Sequence, residues 1–250
     1  MFFSFKNKAK DMPQSEVKKT LGNEISFSAS EAYKLLRTNL IFSFPDDKGC
    51  KIVGITSATN GEGKSTTSIN LAYAIAQAGD RVLLLDSDMR LPTIASKLEL
   101  KSSPGLSNVL VGQAKIDDVI LDSPFHECFK VMASGDLPPN PSELIGSEKM
   151  ENLLRELSER FDYIIMDLPP INVVVDAAII AKKINGTLIV IRNDCCVKAD
   201  VDAAISQLEF ANARLIGFVF TGAKGERRGY RRYGKYKYYS YERYGARKEE

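Results

Sequence analysis

The fold of this chain is decided by one stretch, Lys51-Ile-Val-Gly-Ile-Thr-Ser-Ala-Thr-Asn-Gly-Glu-Gly-Lys-Ser-Thr66. Its first part, residues 51–56, is an apolar and β-branched run that predicts a buried strand. A turn with two glycines follows, and residues 64–78 read as a helix. Strand, Gly-rich turn and helix, in this order, are the context in which the motif G-x-x-x-x-G-K-[ST] binds phosphate. The first glycine of the motif is replaced here by Ala58.

The turn has the residue types that a phosphate-binding loop needs. Glycines allow backbone N–H groups to point at phosphate oxygens, and the N-terminus of the helix adds positive potential. Lys64 would neutralise the β- and γ-phosphates, and Ser65 would ligate Mg²⁺. The alternative is a Gly-rich turn that contains Gly-Lys-Ser by chance. The predicted ATP contacts are Thr59, Asn60, Gly61, Glu62, Gly63, Lys64, Ser65 and Thr66.

Short apolar runs alternate with helical stretches along the rest of the chain. Further strands are predicted at 81–86, 128–133, 161–167, 187–192 and 214–221, and further helices at 29–43, 147–160, 175–184 and 199–211. The strands are continuous Leu and β-branched runs, which are typical of a parallel sheet buried on both faces. Repeated βαβ units predict a doubly wound α/β domain with its ligand site at the C-terminal edge of the strands.

Three carboxylates come at the ends of predicted strands. Asp86 and Asp88 end one strand and Asp167 ends another, so we expect all three to face the phosphate site. Carboxylates are preferred Mg²⁺ ligands, and Asp86 and Asp88, two apart, share a face of an extended segment. One of this pair can orient the metal shell while the other serves as a base, or Asp88 can instead cap the following turn. Arg90 is either a charge partner of these acids or a phosphate contact.

Composition and charge limit the classes of protein to which this chain can belong. Of the 250 residues, 44% are hydrophobic and 26% charged, as in an ordinary globular protein. No stretch approaches the roughly 20 apolar residues that span a bilayer. The single histidine and the four cysteines lack metal-site spacing, which favours free thiols in a reducing cytoplasm. The net charge of +2 combines a basic C-terminus, with 10 Lys/Arg against 4 Asp/Glu in residues 224–250, and a mildly acidic remainder.

The chain divides into three parts. Residues 1–28 are a predicted flexible lead-in, 29–223 a single domain, and 224–250 a basic tail with too few aliphatic residues to fold alone. Seven of the ten tyrosines fall within 15 residues of the tail: Tyr230, Tyr233, Tyr236, Tyr238, Tyr239, Tyr241 and Tyr244. The composition fits either a multi-site phosphoacceptor tail or a basic and aromatic segment that contacts RNA or anionic lipid.

Several motifs together resemble the bacterial tyrosine kinases (BY-kinases) of capsule and exopolysaccharide systems. The first is a Walker A loop that begins with Ala58. The second, at 83–88, has three aliphatic residues followed by D-x-D, and the third, at 164–169, has aliphatic residues followed by D-x-P. The fourth is the segment 134–144. That segment reads S-G-D-L-P-P-N-P-S-E-L and is similar to S-G-x-x-P-P-N-P-x-E-L of the family. The run Asp167-Leu-Pro-Pro170 followed by Asp176-Ala also fits, and the resemblance covers residues 28–221 and the tail.

The resemblance implies a P-loop kinase of MinD/ParA-like fold that transfers the γ-phosphoryl group of ATP to tyrosine. By analogy Lys64 binds phosphates, Asp86 is the favoured base with Asp88 assisting, and Mg²⁺ is organised by Ser65, Asp86 and Asp167. The tail tyrosines would be phosphorylated in trans within a homo-oligomeric ring, an octamer by resemblance. No nucleic acid partner is expected.

The same resemblance implies a place and partners in the cell. No membrane anchor is expected in this chain, so the resemblance implies a cytoplasmic kinase subunit of a split system. A separate transmembrane polysaccharide co-polymerase would activate this subunit and recruit it to the inner face of the membrane. A cognate tyrosine phosphatase would reverse its phosphorylation.

The sequence departs from the family pattern at two places. The oligomerisation helix 29–43 typically carries E-x-x-R-x-x-R, and here the positions are Glu31, Lys34 and Arg37. Lysine keeps the charge but loses the bidentate fork, so the intersubunit contact would be weaker, or this helix face is simply solvated. An Asn-Arg pair often follows the last strand of the family, where this chain has Thr221-Gly222, so no adenine contact is predicted there.

Two other functions share part of this pattern. A nucleotide-switched ATPase of the MinD/ParA kind has the same loop and sheet, but it usually carries a further lysine early in the loop and no tyrosine-rich tail. An interaction protein that uses ATP only to assemble is the third possibility. Formation of phosphotyrosine, release of free phosphate alone, or neither would separate the three.

Overall fold

The computed structural model describes residues 21–44 and 49–222 of the chain. The predicted tail with its tyrosines, and the first 20 residues of the predicted lead-in, lie outside the described residues. Within them the chain forms one seven-stranded, mostly parallel sheet with helices on both faces. The predicted doubly wound α/β fold is therefore confirmed.

The described residues form nine α-helices and seven strands, and most strands are followed by one or more helices. The helices are α1 (Phe27–Phe42), α2 (Lys64–Ala76), α3 (Ile94–Leu98), α4 (Leu106–Leu110), α5 (Ile116–Val119), α6 (Pro141–Gly146), α7 (Glu148–Arg160), α8 (Asp176–Ala181) and α9 (Lys198–Phe210). The strands are β1 (Lys51–Ser57), β2 (Val82–Asp86), β3 (Ile120–Asp122), β4 (Phe129–Met132), β5 (Tyr163–Asp167), β6 (Gly186–Arg192) and β7 (Leu215–Thr221). A single 3₁₀ turn, Gly22–Glu24, precedes α1.

The strand order places the phosphate loop at the centre of the sheet. The order is β3-β4-β2-β5-β1-β6-β7, and β3 alone runs antiparallel to its neighbour. Strand β1, which leads into the loop, lies between β5 and β6. Strands β2 and β5 are adjacent and in a register that pairs Asp86 with Asp167. The acids predicted from separate motifs thus meet beside the loop at one edge.

Alternate strand residues supply two hydrophobic cores, one on each face of the sheet. Ile52 and Ile164 point into a cluster with α7, α8 and α9. Their chain neighbours Val53 and Ile165 point into the opposite cluster with α1 and α2. Both faces are covered, so the strands carry apolar residues at successive positions rather than at every second one.

Each predicted strand and long helix has its counterpart in the structure, with ends that shift by a few residues. Strand β3 and the short helices α3 to α6 were not predicted from the sequence. They are too short to show a period, since β3 has three residues and α3 has five. The first long helix begins at Phe27 rather than at the predicted residue 29: Ser26 is its N-cap and accepts a hydrogen bond from the Ala29 N–H at 3.3 Å, whereas Ser30 lies inside the helix.

The boundary of the predicted lead-in at residue 28 is wrong for its last part. Leu21 is only 2% exposed and belongs to the core beneath α1 and α2. The backbone N–H of Gly22 donates to Asn70 Oδ1 on α2 at 2.8 Å. The folded unit therefore begins before residue 28, because Leu21 and Gly22 pack against the helix that follows the phosphate loop.

We expect Leu21→Ala to lower the free energy of unfolding by about 2–5 kcal/mol, because it removes a buried side chain and leaves a cavity. Leu35→Ala on helix α1 is the matched control, since Leu35 is 54% exposed and such surface changes cost about 0.5 kcal/mol or less. Urea unfolding followed by circular dichroism would measure both. Equal, small effects of the two substitutions would show that the segment before α1 is not part of the cooperative unit.

Candidate active site

Two glycines give the loop between β1 and α2 its shape. Gly61 has φ 83° and Gly63 has φ 95°, a left-handed conformation that side chains with a Cβ rarely adopt. Gly63 is the N-cap of α2, so the first N–H groups of this 13-residue helix are directed at the loop. The structure therefore forms the cradle that the motif predicts for a phosphate group.

Lys64 reaches from the first turn of α2 to the carboxylates at the strand ends. Its Nζ lies 2.9 Å from Asp88 Oδ2 and 3.8 Å from Asp167 Oδ2. Burial alone would lower the pKa of Lys64, but the charges of Asp167 and Asp88 outweigh it and raise the pKa. The lysine therefore stays charged beside the site in which a phosphate would bind.

Asp86 and Asp167 lie side by side and are completely buried. Asp86 accepts backbone N–H groups at both oxygens, from Asp88 at 3.3 Å and from Ile94 at 3.1 Å. Burial, followed by the negative charge of Asp167, raises the pKa of Asp86 well above its usual range. Burial also raises the pKa of Asp167, although Lys64 opposes it. Two buried carboxylates in contact favour a bound cation or a proton.

The surroundings of Asp167 fit a magnesium ion. Its Oδ1 accepts a hydrogen bond from Ser68 at 3.0 Å, whereas Oδ2 is buried with no hydrogen-bond partner. Burial raises the pKa of this carboxyl, and Ser65 lies close enough to lower it in part. Ser65, Asp86 and Asp167 would together hold the ion, with phosphate oxygens and waters as further ligands. Among the described residues no group of three His, Cys, Asp or Glu side chains is arranged to hold a metal, so these other ligands are needed.

Ser68 was not singled out from the sequence. It lies one helical turn after Lys64, and its hydroxyl oxygen is 2.9 Å from the carbonyl oxygen of Lys64 and 3.0 Å from Asp167 Oδ1, so its single hydrogen can be donated to either acceptor. The i, i+4 spacing from the loop lysine was the available signal, because residues four apart share one face of a helix.

Asp88 caps the turn that follows it, which is one of the roles that the sequence left open, and it also pairs with Lys64. Strand β2 ends at Asp86, so Asp88 lies in the loop that follows rather than on the strand. Its Oδ1 accepts the N–H groups of Arg90, at 3.3 Å, and of Leu91, at 3.0 Å, which caps the turn. Its Oδ2 makes the ion pair with Lys64. The capping therefore fixes the orientation of a carboxylate that faces the active site.

Glu62 has a different place from the one predicted for an ATP contact. It is completely buried, and its Oε1 accepts the Thr59 N–H at 2.6 Å and the Thr59 hydroxyl at 2.9 Å. Both donors of Thr59 are therefore directed at Glu62 rather than at a phosphate. These two residues shape the loop from within, which the sequence reasoning missed.

The same glutamate ties the loop to the ends of β6 and β7. Its Oε2 accepts the backbone N–H of Arg192 at 3.2 Å, and its carbonyl oxygen accepts the Thr221 hydroxyl at 2.7 Å. A guanidinium nitrogen of Arg192 also donates to the carbonyl of Gly61 at 3.3 Å. Thr221 was assigned no role from the sequence because it departs from the family pattern, yet its hydroxyl holds the loop backbone.

Arg90 is the charge partner of a different acid from those expected. Its Nε lies 2.8 Å from Asp176 Oδ2, and its Nη2 lies 3.1 Å from Asp176 Oδ1. The same Nη2 donates to Ser142 Oγ at 2.9 Å. Its side chain contacts neither Asp86 nor Asp88 in these hydrogen bonds, because it points across the loop towards α6 and α8.

The residues predicted for oligomerisation lie on α1 in two different settings. Lys34 and Glu31 form an exposed ion pair with each other at 2.8 Å. Arg37 instead donates to the carbonyl of Ala74 on α2 at 2.8 Å and is half-buried. Within the chain, Arg37 therefore attaches the helix to the domain, while the other two form a solvated face.

Of the other predicted loop contacts, Asn60 and Gly61 are exposed, and Gly63 and Thr66 are half-buried. They thus remain accessible to a ligand at the loop.

Among the helices of the described residues, none combines the length and apolar character that a membrane crossing requires.

The fold and this site define a P-loop nucleotide-binding domain. A family model described as an AAA domain matches residues 50–208, which runs from the start of β1 into α9. That span contains the phosphate loop and all three strand-end carboxylates.

Proteins of similar sequence and structure narrow the class of P-loop domain further. The tyrosine-protein kinase YwqD of Bacillus subtilis is 38% identical over 195 residues, which cover 78% of this chain and 81% of YwqD. The kinase domain of the Escherichia coli tyrosine kinase ETK superposes with a TM-score of 0.78 at 31% identity, covering 92% of this chain and 87% of that domain. The chain belongs to the bacterial tyrosine-protein kinase family.

A more distant likeness concerns the fold alone. The septum site-determining protein MinD of Pyrococcus horikoshii, solved with Mg-ADP, has a TM-score of 0.59 and 23% identity over 70% of this chain. The expected relation to MinD-type P-loop folds is thereby confirmed.

We expect Glu62→Gln to weaken nucleotide binding about tenfold, because hydrogen bonds to a charged acceptor contribute about 1.5–3 kcal/mol each and an amide cannot accept at both ends. Titration with a fluorescent ATP analogue would measure the dissociation constant. Glu159→Gln, at an exposed position of α7, is the matched control. An unchanged affinity in E62Q would show that this carboxylate does not shape the loop.

Proposed function

We propose that this chain is an ATP-dependent protein-tyrosine kinase that phosphorylates its own tail and regulates capsule or exopolysaccharide synthesis. The observation that carries the proposal is the buried cluster in which Lys64 is surrounded by Asp86, Asp88 and Asp167 at the mouth of the phosphate loop. Family membership adds the tyrosine acceptor, since both relatives compared above are named tyrosine kinases.

Binding of ATP falls to the loop and the start of α2. The helix N-terminus and Lys64 would receive the β- and γ-phosphates. Mg²⁺, held by Ser65, Asp86 and Asp167, would neutralise charge on the phosphate oxygens. Phosphoryl transfer needs mainly positioning and charge neutralisation, and these residues are positioned in advance by their own hydrogen bonds.

Asp86 is the proposed proton acceptor for the tyrosine hydroxyl. A tyrosine hydroxyl has a pKa of about 10, so a nearby base must take its proton as the phosphoryl group arrives. Asp86 ends β2 beside Asp167 and close to the phosphate loop, so its carboxylate lies at the edge of the sheet where the phosphoryl group would be transferred. Asp88 assists by holding Lys64 at 2.9 Å.

The tail is the proposed acceptor, reached in trans within a homo-oligomer. The last residue of β7, Thr221, bonds the phosphate loop, so the described part of the chain ends at the edge of the sheet that carries the loop. Each added phosphate brings a charge of about −1.5 to −2. Seven of them would make the basic tail acidic and would weaken a ring held partly by charge.

The proposed partners follow from the family resemblance. A transmembrane polysaccharide co-polymerase would supply a cytoplasmic activating segment and bring the kinase to the inner face of the membrane. A cognate tyrosine phosphatase would remove the phosphates. A MinD-like ATPase without kinase activity is the competing function, and the family membership argues against it.

We expect the chain, incubated with radiolabelled ATP and Mg²⁺, to form phosphotyrosine on its tail. Replacing the seven tail tyrosines by Phe should abolish most labelling, because the acceptor hydroxyls are gone. Mixing this variant with an Asp86→Asn chain that keeps its tyrosines tests transfer between chains. Labelling of the D86N chain supports transfer in trans. Undiminished labelling of the seven-Phe variant alone would contradict the tail as acceptor.

We expect weak activity of the chain alone and a higher initial rate of phosphotyrosine formation with the cytoplasmic segment of a co-polymerase. The physical reason is that the activator would help to align the acceptor tyrosine with ATP bound at the preformed loop, so that more encounters are productive. A scrambled peptide of the same composition is the control. Equal rates with and without the activating segment would refute the split arrangement.

A further inference from the structure

One arginine joins a loop and two helices at the C-terminal edge of the sheet. Arg90 comes from the loop after β2, Ser142 from helix α6 and Asp176 from the start of α8. The guanidinium binds both carboxylate oxygens of Asp176, at 2.8 and 3.1 Å, and the Ser142 hydroxyl at 2.9 Å. Ser142 in turn donates to Asp176 Oδ1 at 2.5 Å. The three side chains form a closed set of hydrogen bonds.

This set is built on a buried anchor. Asp176 is 1% exposed, whereas the Arg90 side chain is 39% exposed. Helices α6 and α8 pack against each other, so the acceptor and the hydroxyl are held by the folded body. A planar guanidinium fits a carboxylate at two points, which fixes direction as well as distance. Arg90 therefore has one defined position relative to the body.

The backbone of Arg90 transmits that position to the site. Its N–H, together with that of Leu91, donates to Asp88 Oδ1. The other oxygen of Asp88 holds Lys64 at 2.9 Å. A continuous path of contacts thus runs from Asp176 through Arg90 and Asp88 to the lysine of the phosphate loop.

We propose that Arg90 is a positioning residue for phosphoryl transfer, which it supports by fixing the loop that orients Asp88 on Lys64. The inference rests on the proposed kinase function and adds a residue to it. Arg90 touches no reacting group in this role. Its loss should therefore slow the transfer step while ATP still binds.

The chain offers a control pair of the same chemistry at the opposite edge of the same two strands. Arg81 and Asp162 precede β2 and β5, and their side chains bond at two points, at 3.1 and 2.8 Å. This pair is exposed, at 57% and 40%, and lies far along both strands from the catalytic edge. Arg81→Ala removes an arginine–aspartate pair without affecting the loop of Asp88.

The experiment compares initial rates of phosphotyrosine formation against ATP concentration for the full chain and its variants. We expect R90A to lower kcat about 10- to 100-fold, because small misplacements of catalytic groups have effects of that size, with KM for ATP nearly unchanged. D176N should behave alike. R90K, which keeps the charge but not the fork, should fall between R90A and the wild type, and R81A should match the wild type.

Other results would overturn the inference. An unchanged kcat in R90A, an equal loss in R81A, or a loss confined to KM for ATP would each exclude a positioning role. Thermal unfolding midpoints check that each variant folds, and if R90A does not, R90K and S142A decide the question. A wild-type chain that releases phosphate but forms no phosphotyrosine would contradict the proposed kinase function instead. In that case, initial rates of phosphate release, compared among R90A, R90K, R81A and the wild type, would still decide the role of Arg90.

Discussion

The contact on which the rest of the structure depends is the burial of three carboxylates around one lysine. Lys64 alone cannot balance Asp86, Asp88 and Asp167, and uncompensated charge in a dry interior is costly. The surroundings therefore supply backbone N–H groups to Asp86 and Asp88 and a serine hydroxyl to Asp167. The sheet order serves the same end, because it brings the strands that carry Asp86 and Asp167 together next to the strand of the phosphate loop.

Much of this arrangement could be predicted from the sequence. Continuous apolar runs identify buried parallel strands, and a carboxylate at the end of such a strand must lie at the catalytic edge. Asp86 and Asp167 were placed correctly on that basis. Strand β3 was not predicted because a run of three residues shows no periodicity. The start of α1 was misplaced because Ser26 and Ser30 are equally good caps by residue type.

Side chains that act through distant partners could not be predicted in this way. The partner of Arg90 is Asp176, 86 positions along the chain, and nothing in the local sequence selects it over the nearer acids. Glu62 belongs to the loop motif, so it was assigned to ATP by position, although its side chain turns inward. Such roles depend on which loops the sheet order brings together, and one sequence does not reveal that.

The inward-facing side chain of Glu62 reduces the conformational entropy that the loop loses when a ligand binds. The groups that shape the loop, on Thr59, Arg192 and Thr221, all belong to the protein. A loop ordered by its own contacts loses little conformational freedom when a phosphate enters, and preorganisation of this kind lowers the cost of binding. ADP can then leave and ATP enter without the loop having to fold anew in each catalytic cycle.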